Sequence, residues 1–314
     1  MTSRLRAAAL VVGLTVLIAA CGSSTSPQPS RGSVGSSPTP VGPGQSAPTI
    51  LPIPITQAYR VGDNRIVFTL TDSSGQKQVA GPDRTLTIGY HGPNGETIAP
   101  AAQTFIWAIE GSNGVYVGQA TFPSAGQWTA DFSTSAAGSP TETTTFSFDV
   151  RDRLEVVSPG DAAPSIDTPT LADVGGDLAK ISSDTKPVKR FYETSEADAL
   201  AAKKPFVLIF ATPKFCVSTV CGPTLEKLKP VAAAHPELTF INVEPYVLEF
   251  ADGGLRPVMT GANLTPAPAT LAFKLASEPF VFVVGADGKV VASFEQVFSP
   301  EEIEAAIKQV ETAG

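Results

Sequence analysis

The stretch Phe210–Leu228, FATPKFCVSTVCGPTLEKL, decides how the C-terminal part of the chain is read, because it holds Cys216 and Cys221 with four residues between them. Upstream, PFVLIFA (205–211) is an unbroken apolar run, the pattern of a strand buried on both faces. Downstream, Leu225, Leu228, Val231 and Ala232 recur at intervals of three and four, which predicts a helix over 223–233. Pro223 suits an early helical position, where its missing N–H leaves no bond unmade. The cysteine pair therefore sits where a buried strand hands over to a helix. Such a pair can be a working dithiol, a metal clip or a structural staple.

Working outward, LTFINVEPY (238–246) reads as a further strand and 247–278 as an irregular segment with Pro257, Pro266 and Pro268. FVFVVGADGKVVASFEQ (280–296) reads as a strand pair around a two-residue turn at Asp287-Gly288. The last helix, SPEEIEAAIKQVETA, opens on Ser299 as cap and Pro300 at the first position, with Glu301, Glu302 and Glu304 at the positive end of the dipole. Strand, helix, strand, hairpin, helix is an α/β order.

This order resembles the thioredoxin (redoxin) fold over 190–314. The residues that carry the resemblance are PFVLIFATPKFC, CGPTLEKLKP, Pro279 before FVFVVGADGKVV, and the terminal helix. The resemblance implies Cys216 and Cys221 as catalytic residues, and Gly222, Pro223 and Pro279 as substrate-binding ones, with Glu278-Pro279 a cis bond. The family's Cys-Gly-Pro-Cys is matched by Cys221-Gly222-Pro223, with Thr224 in the fourth place, so the second thiol comes from Cys216 upstream. The family pattern needs one cysteine near a helix N-terminus, where unpaired N–H groups and the dipole favour the thiolate. Pro223 as an early helical residue makes Cys221 that sulfur and Cys216 the resolving partner. The opposite assignment stays open, since Cys216 follows the strand at about the family's distance. The family also places an acid in the strand before the cysteines, and PFVLIFA has none.

The compartment limits what the pair can do. Residues 1–20, MTSRLRAAALVVGLTVLIAA, give a basic head and a short apolar core, the form of a secretory signal. Ile18-Ala19-Ala20-Cys21 resembles the bacterial lipobox, which implies lipidation of Cys21 and an extracytoplasmic membrane anchor. Residues 21–52 are dominated by Ser, Pro, Gly and Thr and read as a disordered tether. Residues 53–150 carry NRIVFTLTD, RTLTIGYHG, TFIWAIEG, GVYVGQATF, GQWTADFS and TTTFSFDV between turn signals, the signature of an all-β sandwich. GVYVGQATFPSAGQWTADF is similar to the later strands of immunoglobulin-like modules. Residues 151–189 read as a connector, within which PGDAAPSIDTPTL looks like the lead-in segment of redoxin-type domains. The expected fold class is therefore an N-terminal immunoglobulin-like sandwich followed by a C-terminal α/β thioredoxin-like fold.

With 22 Lys and Arg against 30 Asp and Glu, the formal charge is −8, and loss of Arg4 and Arg6 with the leader makes it more negative. No basic cluster marks a nucleic-acid surface. No phosphate-cradling glycine loop is present, and the two histidines give poor support to a Ser-His-acid triad. The expected function is thiol–disulfide exchange with exported protein thiols or disulfides, without a cofactor. Three alternatives compete with it. A structural disulfide over so short a loop adds only about 2 kcal/mol, which leaves a surface binding protein. A peroxidase needs Pro-x-x-x-Thr/Ser-x-x-Cys, which neither cysteine satisfies. A copper-handling thioredoxin-like protein usually adds a histidine to its two thiolates, yet His235 reads as a helix C-terminal partner, His91 as a turn residue and Met259 as packing.

Overall fold

The computed structural model describes residues 48–312, so the expected leader, Cys21 and tether residues 21–47 lie outside it. The first nine strands are β1 (Ile50–Pro54), β2 (Tyr59–Arg60), β3 (Gly62–Asp72), β4 (Arg84–His91), β5 (Thr97–Ala102), β6 (Thr104–Ile109), β7 (Asn113–Phe122), β8 (Gly126–Ala136) and β9 (Glu142–Arg151). They form a four-stranded sheet, β1-β3-β7-β6, and a five-stranded sheet, β2-β9-β8-β4-β5. Alternation builds the core between them. In β8, Trp128, Ala130 and Phe132 point inward, while Thr129 and Asp131 face out. They meet Phe68, Tyr116 and Phe122 of the other sheet and Phe146 and Phe148 of β9. Burying each large apolar side chain contributes roughly 1.5–3 kcal/mol. Gly92 is required by the same core, because a Cβ there would stand 2.8 Å from the Trp128 ring. Strand β1 pairs with β3 from Ile50 onward, so pairing starts inside the segment read as tether.

After a connector of turns and short 3-10 helices come α1 (Glu196–Ala201), β10 (Phe206–Phe210), α2 (Cys221–Ala234) and β11 (Thr239–Val243). Next are β12 (Leu248–Ala251), β13 (Gly254–Pro257), β14 (Met259–Thr260), β15 (Asn263–Leu264) and α3 (Pro268–Ala272). The chain ends in β16 (Phe280–Val284), β17 (Val290–Glu295) and α4 (Pro300–Thr312). The C-terminal sheet has the order β11-β10-β16-β17. Val207, Ile209, Val281 and Val283 on one face pack under Leu225 and Leu228 of α2 and Ile303 and Ile307 of α4. Phe206, Leu208, Phe210 and Phe282 on the other face meet Ala199 of α1, Ala269 of α3, Phe273 and the half-buried Val156, Val157 and Ile166 of the connector. Every residue of β10 and β16 is buried, which is why both read as unbroken apolar runs.

The expected fold class is corrected. Strands take 40% of the structure and helices 17%, and a C-terminal α/β thioredoxin fold is not shown; sandwich-like β architecture describes the chain better. The helix–strand alternation expected over 190–314 reduces to one crossover, because only β10 and β11 run parallel, while β16 and β17 are antiparallel additions. The segment read as irregular pairs instead as two small ribbons, β12–β13 and β14–β15. The β16–β17 turn is also longer than expected, closing from Gly288 N–H to the Gly285 carbonyl with Gly288 in the left-handed region. No helix among the described residues is long and apolar enough to cross a membrane.

The sandwich and the C-terminal sheet share contacts. Val67, Ala108, Val115 and Val117 of the sandwich cluster with Val220 and Val297. Arg65 of β3 makes a two-pronged ion pair with Glu302 of α4, at 2.7 and 2.9 Å.

Candidate functional site

Helix α2 begins at Cys221 itself, earlier than the expected Pro223, and its N-cap, Val220, offers no side chain to the free N–H groups. One of those groups has a partner nonetheless: Cys221 N–H donates to Cys216 Sγ at 3.3 Å. Cys216 and Cys221 form a disulfide, with Cα atoms 6.0 Å apart. The two sulfurs are not equivalent. Cys221 is fully buried against the core, whereas Cys216 is half-buried in a loop whose neighbour Val217 is 73% exposed. Ser218 Oγ stands 3.4 Å from the Cys216 sulfur.

A third side chain completes the site. Glu278 is buried. Its Oε1 accepts the Val217 N–H at 2.7 Å, and its Oε2 accepts the Tyr246 hydroxyl at 2.7 Å. Its main-chain carbonyl accepts from Ser218 Oγ at 2.7 Å, so the carboxylate and backbone of one residue hold the loop between the cysteines. The two Sγ atoms and a Glu278 carboxylate oxygen all lie within 4.8 Å of one another. The Tyr246 hydroxyl is held in its protonated form, its pKa raised by desolvation, then by its hydrogen bond to Glu278 and by that residue's charge.

Sequence reasoning looked for an acid in the strand before the cysteines and missed Glu278, which arrives from 57 residues beyond Cys221 along the chain. The available signal was its place beside Pro279, a lone acid against the apolar run PFVFVV. The Glu278–Pro279 bond is cis and Pro279 is buried, with its carbonyl accepting from Gln296 N–H. Gly222 and Pro223 are half-buried in the first turn of α2. Of the other residues weighed, His235 bonds Glu304 and Glu311, His91 bonds Asp131, and Met259 is exposed in β14.

A second carboxyl lies behind the loop. Glu244, just after β11, accepts the Ser183 N–H at 2.6 Å, while its Oε2 is buried without a partner. Desolvation pushes its pKa up to about 7 against the opposing hydrogen bonds from Thr212 and Ser183. The Ser183 hydroxyl also receives the Lys214 N–H, which ties this group to the segment leading into Cys216. Glu244 and Tyr246 both line a cleft of about 360 Å³ beside β11, β12 and α3.

No protein-family model matches the chain, and no curated protein matches it. Among solved structures, a DUF4426 family protein (PA0388) from Pseudomonas aeruginosa PAO1 is similar at 16% identity, covering 30% of this chain and 77% of that one, with a TM-score of 0.23.

Proposed function

We propose that this chain is a thiol–disulfide exchange protein, held outside the cytoplasmic membrane by a lipid on Cys21 and acting on exported proteins. The observation that carries the reading is the inequality of the two sulfurs: Cys221 is sealed at the head of α2, while Cys216 is half-buried and receives a helix-start N–H. Free N–H groups at a helix start favour a thiolate. Cys216 is therefore assigned as the attacking sulfur and Cys221 as the resolving one.

In the reductive direction, the Cys216 thiolate attacks a partner disulfide. One partner sulfur leaves as thiolate and a mixed disulfide forms at Cys216. Cys221 then gives its proton to the Glu278 carboxylate and attacks Cys216 Sγ, which expels the second partner thiolate. The partner gains two electrons, and the pair returns to the disulfide. The oxidative direction is the reverse. A protein partner is favoured by exposed apolar side chains. Of the five exposed large hydrophobics among the described residues, Val217 sits in the disulfide loop, and Phe250, Met259 and Leu271 lie within 247–278. Lys214 Nζ joins the segment leading into Cys216 to β13 through the Leu255 carbonyl.

The test is a pair of single variants. Cys221→Ser is expected to accumulate mixed disulfides with exported proteins, resolved by dithiothreitol, and Cys216→Ser to accumulate few. The reduction potential of the pair, equilibrated against glutathione and dithiothreitol buffers, is expected between roughly −120 and −270 mV. A potential well below about −300 mV makes the pair a staple and sinks the exchange reading.

A further inference from the structure

We propose that the reduced pair, together with Glu278, is a binding site for one divalent cation of the Zn(II) class. Cys216 Sγ, Cys221 Sγ and a Glu278 carboxylate oxygen lie within 4.8 Å of one another, the one group of three or more such donors that the described residues assemble. Two cysteines with four residues between them fall at the upper end of the usual zinc-knuckle spacing. A Cys₂-carboxylate set with a half-buried rim supplies three protein ligands and leaves a fourth position open to water or an incoming ligand.

The surroundings already have the form of an outer shell. Cys221 N–H points at the Cys216 sulfur, and each Glu278 oxygen accepts one donor, from Val217 N–H and the Tyr246 hydroxyl. Such partners orient ligand atoms and leave a lone pair on each oxygen for the metal. Charge argues the same way. Reduction would place two ionisable thiols beside a buried carboxylate, and both can ionise there only with a cation to compensate them. The ammonium of Lys214, two residues before Cys216, is turned to the Leu255 carbonyl. The mixed sulfur and oxygen donors suit a borderline cation better than Cu(I), which prefers an all-soft set.

The site is closed by oxidation, since a disulfide offers no thiolates. A phosphine first converts the S–S bond to two thiols, taking the protons and oxygen from water and leaving as its oxide. M²⁺ then displaces two protons to give the dithiolate complex. Binding needs only that the pair be reducible, so it does not stand or fall with exchange on protein partners.

The experiment is an anaerobic Co(II) titration of the full chain after reduction with a phosphine, read by sulfur-to-cobalt charge transfer, with Zn(II) competition. Expected are saturation at one Co(II) per chain, displacement by Zn(II), and no band for the oxidised chain. Cys216→Ser and Cys221→Ser should each abolish most of the band. Glu278→Gln should weaken binding at least about tenfold, the lower bound for losing even an outer-shell group. Tyr246→Phe, which removes only the hydroxyl on Oε2, should give a smaller loss and serves if Glu278→Gln does not fold. Absence of a saturable band on the reduced chain overturns the proposal, and so does unchanged affinity in both the Glu278 and Tyr246 variants. Trapping of partners without metal binding would leave exchange standing alone, and metal binding with a potential below about −300 mV would leave the metal site alone.

Discussion

Two carboxyl groups in the C-terminal part are held away from water with one oxygen unpaired. Glu196 is fully buried at the start of α1, with Oε2 accepting the Ile166 N–H at 2.7 Å and Oε1 without a partner. Burial pushes its pKa up to about 7, against the pull of that hydrogen bond. Glu244 is raised to about 7 for the same reason. In the unfolded chain both titrate near 4.5. The folded state thus binds more protons between those values, and stability must fall as pH rises through that window. Below pH about 4.5 both states are protonated and the contribution is complete; above about 7 it is gone. The shift bounds the loss at ~3 kcal/mol per group, with structural relaxation reducing it. Urea unfolding at pH 5, 6, 7 and 8 is expected to show a falling midpoint, and Glu196→Gln or Glu244→Gln should each flatten the fall. An equally steep profile in both variants would place the titration elsewhere.

At the scale of elements, the loop between the cysteines carries a backbone conformation that its residue disfavours. Thr219 has φ +68°, in the left-handed region, which costs a non-glycine residue about 1–2 kcal/mol. Thr219→Gly removes that cost but adds roughly 0.5–1 kcal/mol of backbone entropy. The oxidised variant should therefore be unchanged to about 1.5 kcal/mol more stable, and a clear loss in thermal unfolding would show that the threonine side chain holds the loop. Helix α2 is tied to α4 at its other end. His235, its C-cap, contacts Glu304 and Glu311 at 2.9 Å through its two ring nitrogens, so the ring can donate to both only as imidazolium. Desolvation pulls its pKa down, but the bonds and charges of Glu304 and Glu311 outweigh it and leave the pKa raised above 6.5. This clamp is complete below pH 6.5 and lost as pH rises through the raised pKa. His235→Ala should cost more stability at pH 6 than at pH 9, and an equal cost at both would mean that the ring acts by packing alone.

These elements differ in how far the sequence exposes them. Strands β3, β4 and β6–β9 coincide with the six segments picked out by residue type, since Val, Ile, Phe, Thr and Tyr suit a pleated, partly buried surface; in β8 and β9 one-sided burial adds visible alternation, whereas β3 and β7 carry runs of buried residues. Helices α2 and α4 declare themselves by spacing, and Ser299 forms the expected cap, donating its N–H to Glu302 and accepting that residue's N–H. Strands β12 to β15 run to four residues at most, too short for any period to register, so 247–278 read as irregular. The order of elements over 190–314 suggests helix–strand alternation for a related reason: pairing direction leaves no local pattern, and within that stretch β10–β11 is parallel while β16 and β17 are added antiparallel. Glu278 shows in the sequence only as a lone acid beside Pro279, because chain path, not local pattern, brings it to the cysteines.

For the whole molecule, the question is why an N-terminal sandwich accompanies the cysteine pair. Helix α2 carries Cys221 in its first turn and Lys227 in its second, and Lys227 Nζ donates to the carbonyls of Trp107 in β6 and Phe298 before α4. Val220, next to Cys221, packs among Val67, Val115 and Val117 of the sandwich. Arg65 binds Glu302 with only 13% and 23% of the two side chains exposed. The sandwich is thus attached to the helix that presents the disulfide, and unfolding of one should be felt by the other. Calorimetry of the full chain is expected to show one cooperative transition. Losing a charge-assisted contact costs roughly 1.5–3 kcal/mol, so Arg65→Ala and Lys227→Ala together should remove enough coupling to split the transition in two. The same double variant should speed alkylation of the reduced Cys221, because the loosened Val220 no longer seals the head of α2. A single transition with unaltered alkylation would mean that the apolar cluster alone joins the two parts, and Val117→Ala would then produce the split that loss of Arg65 and Lys227 did not.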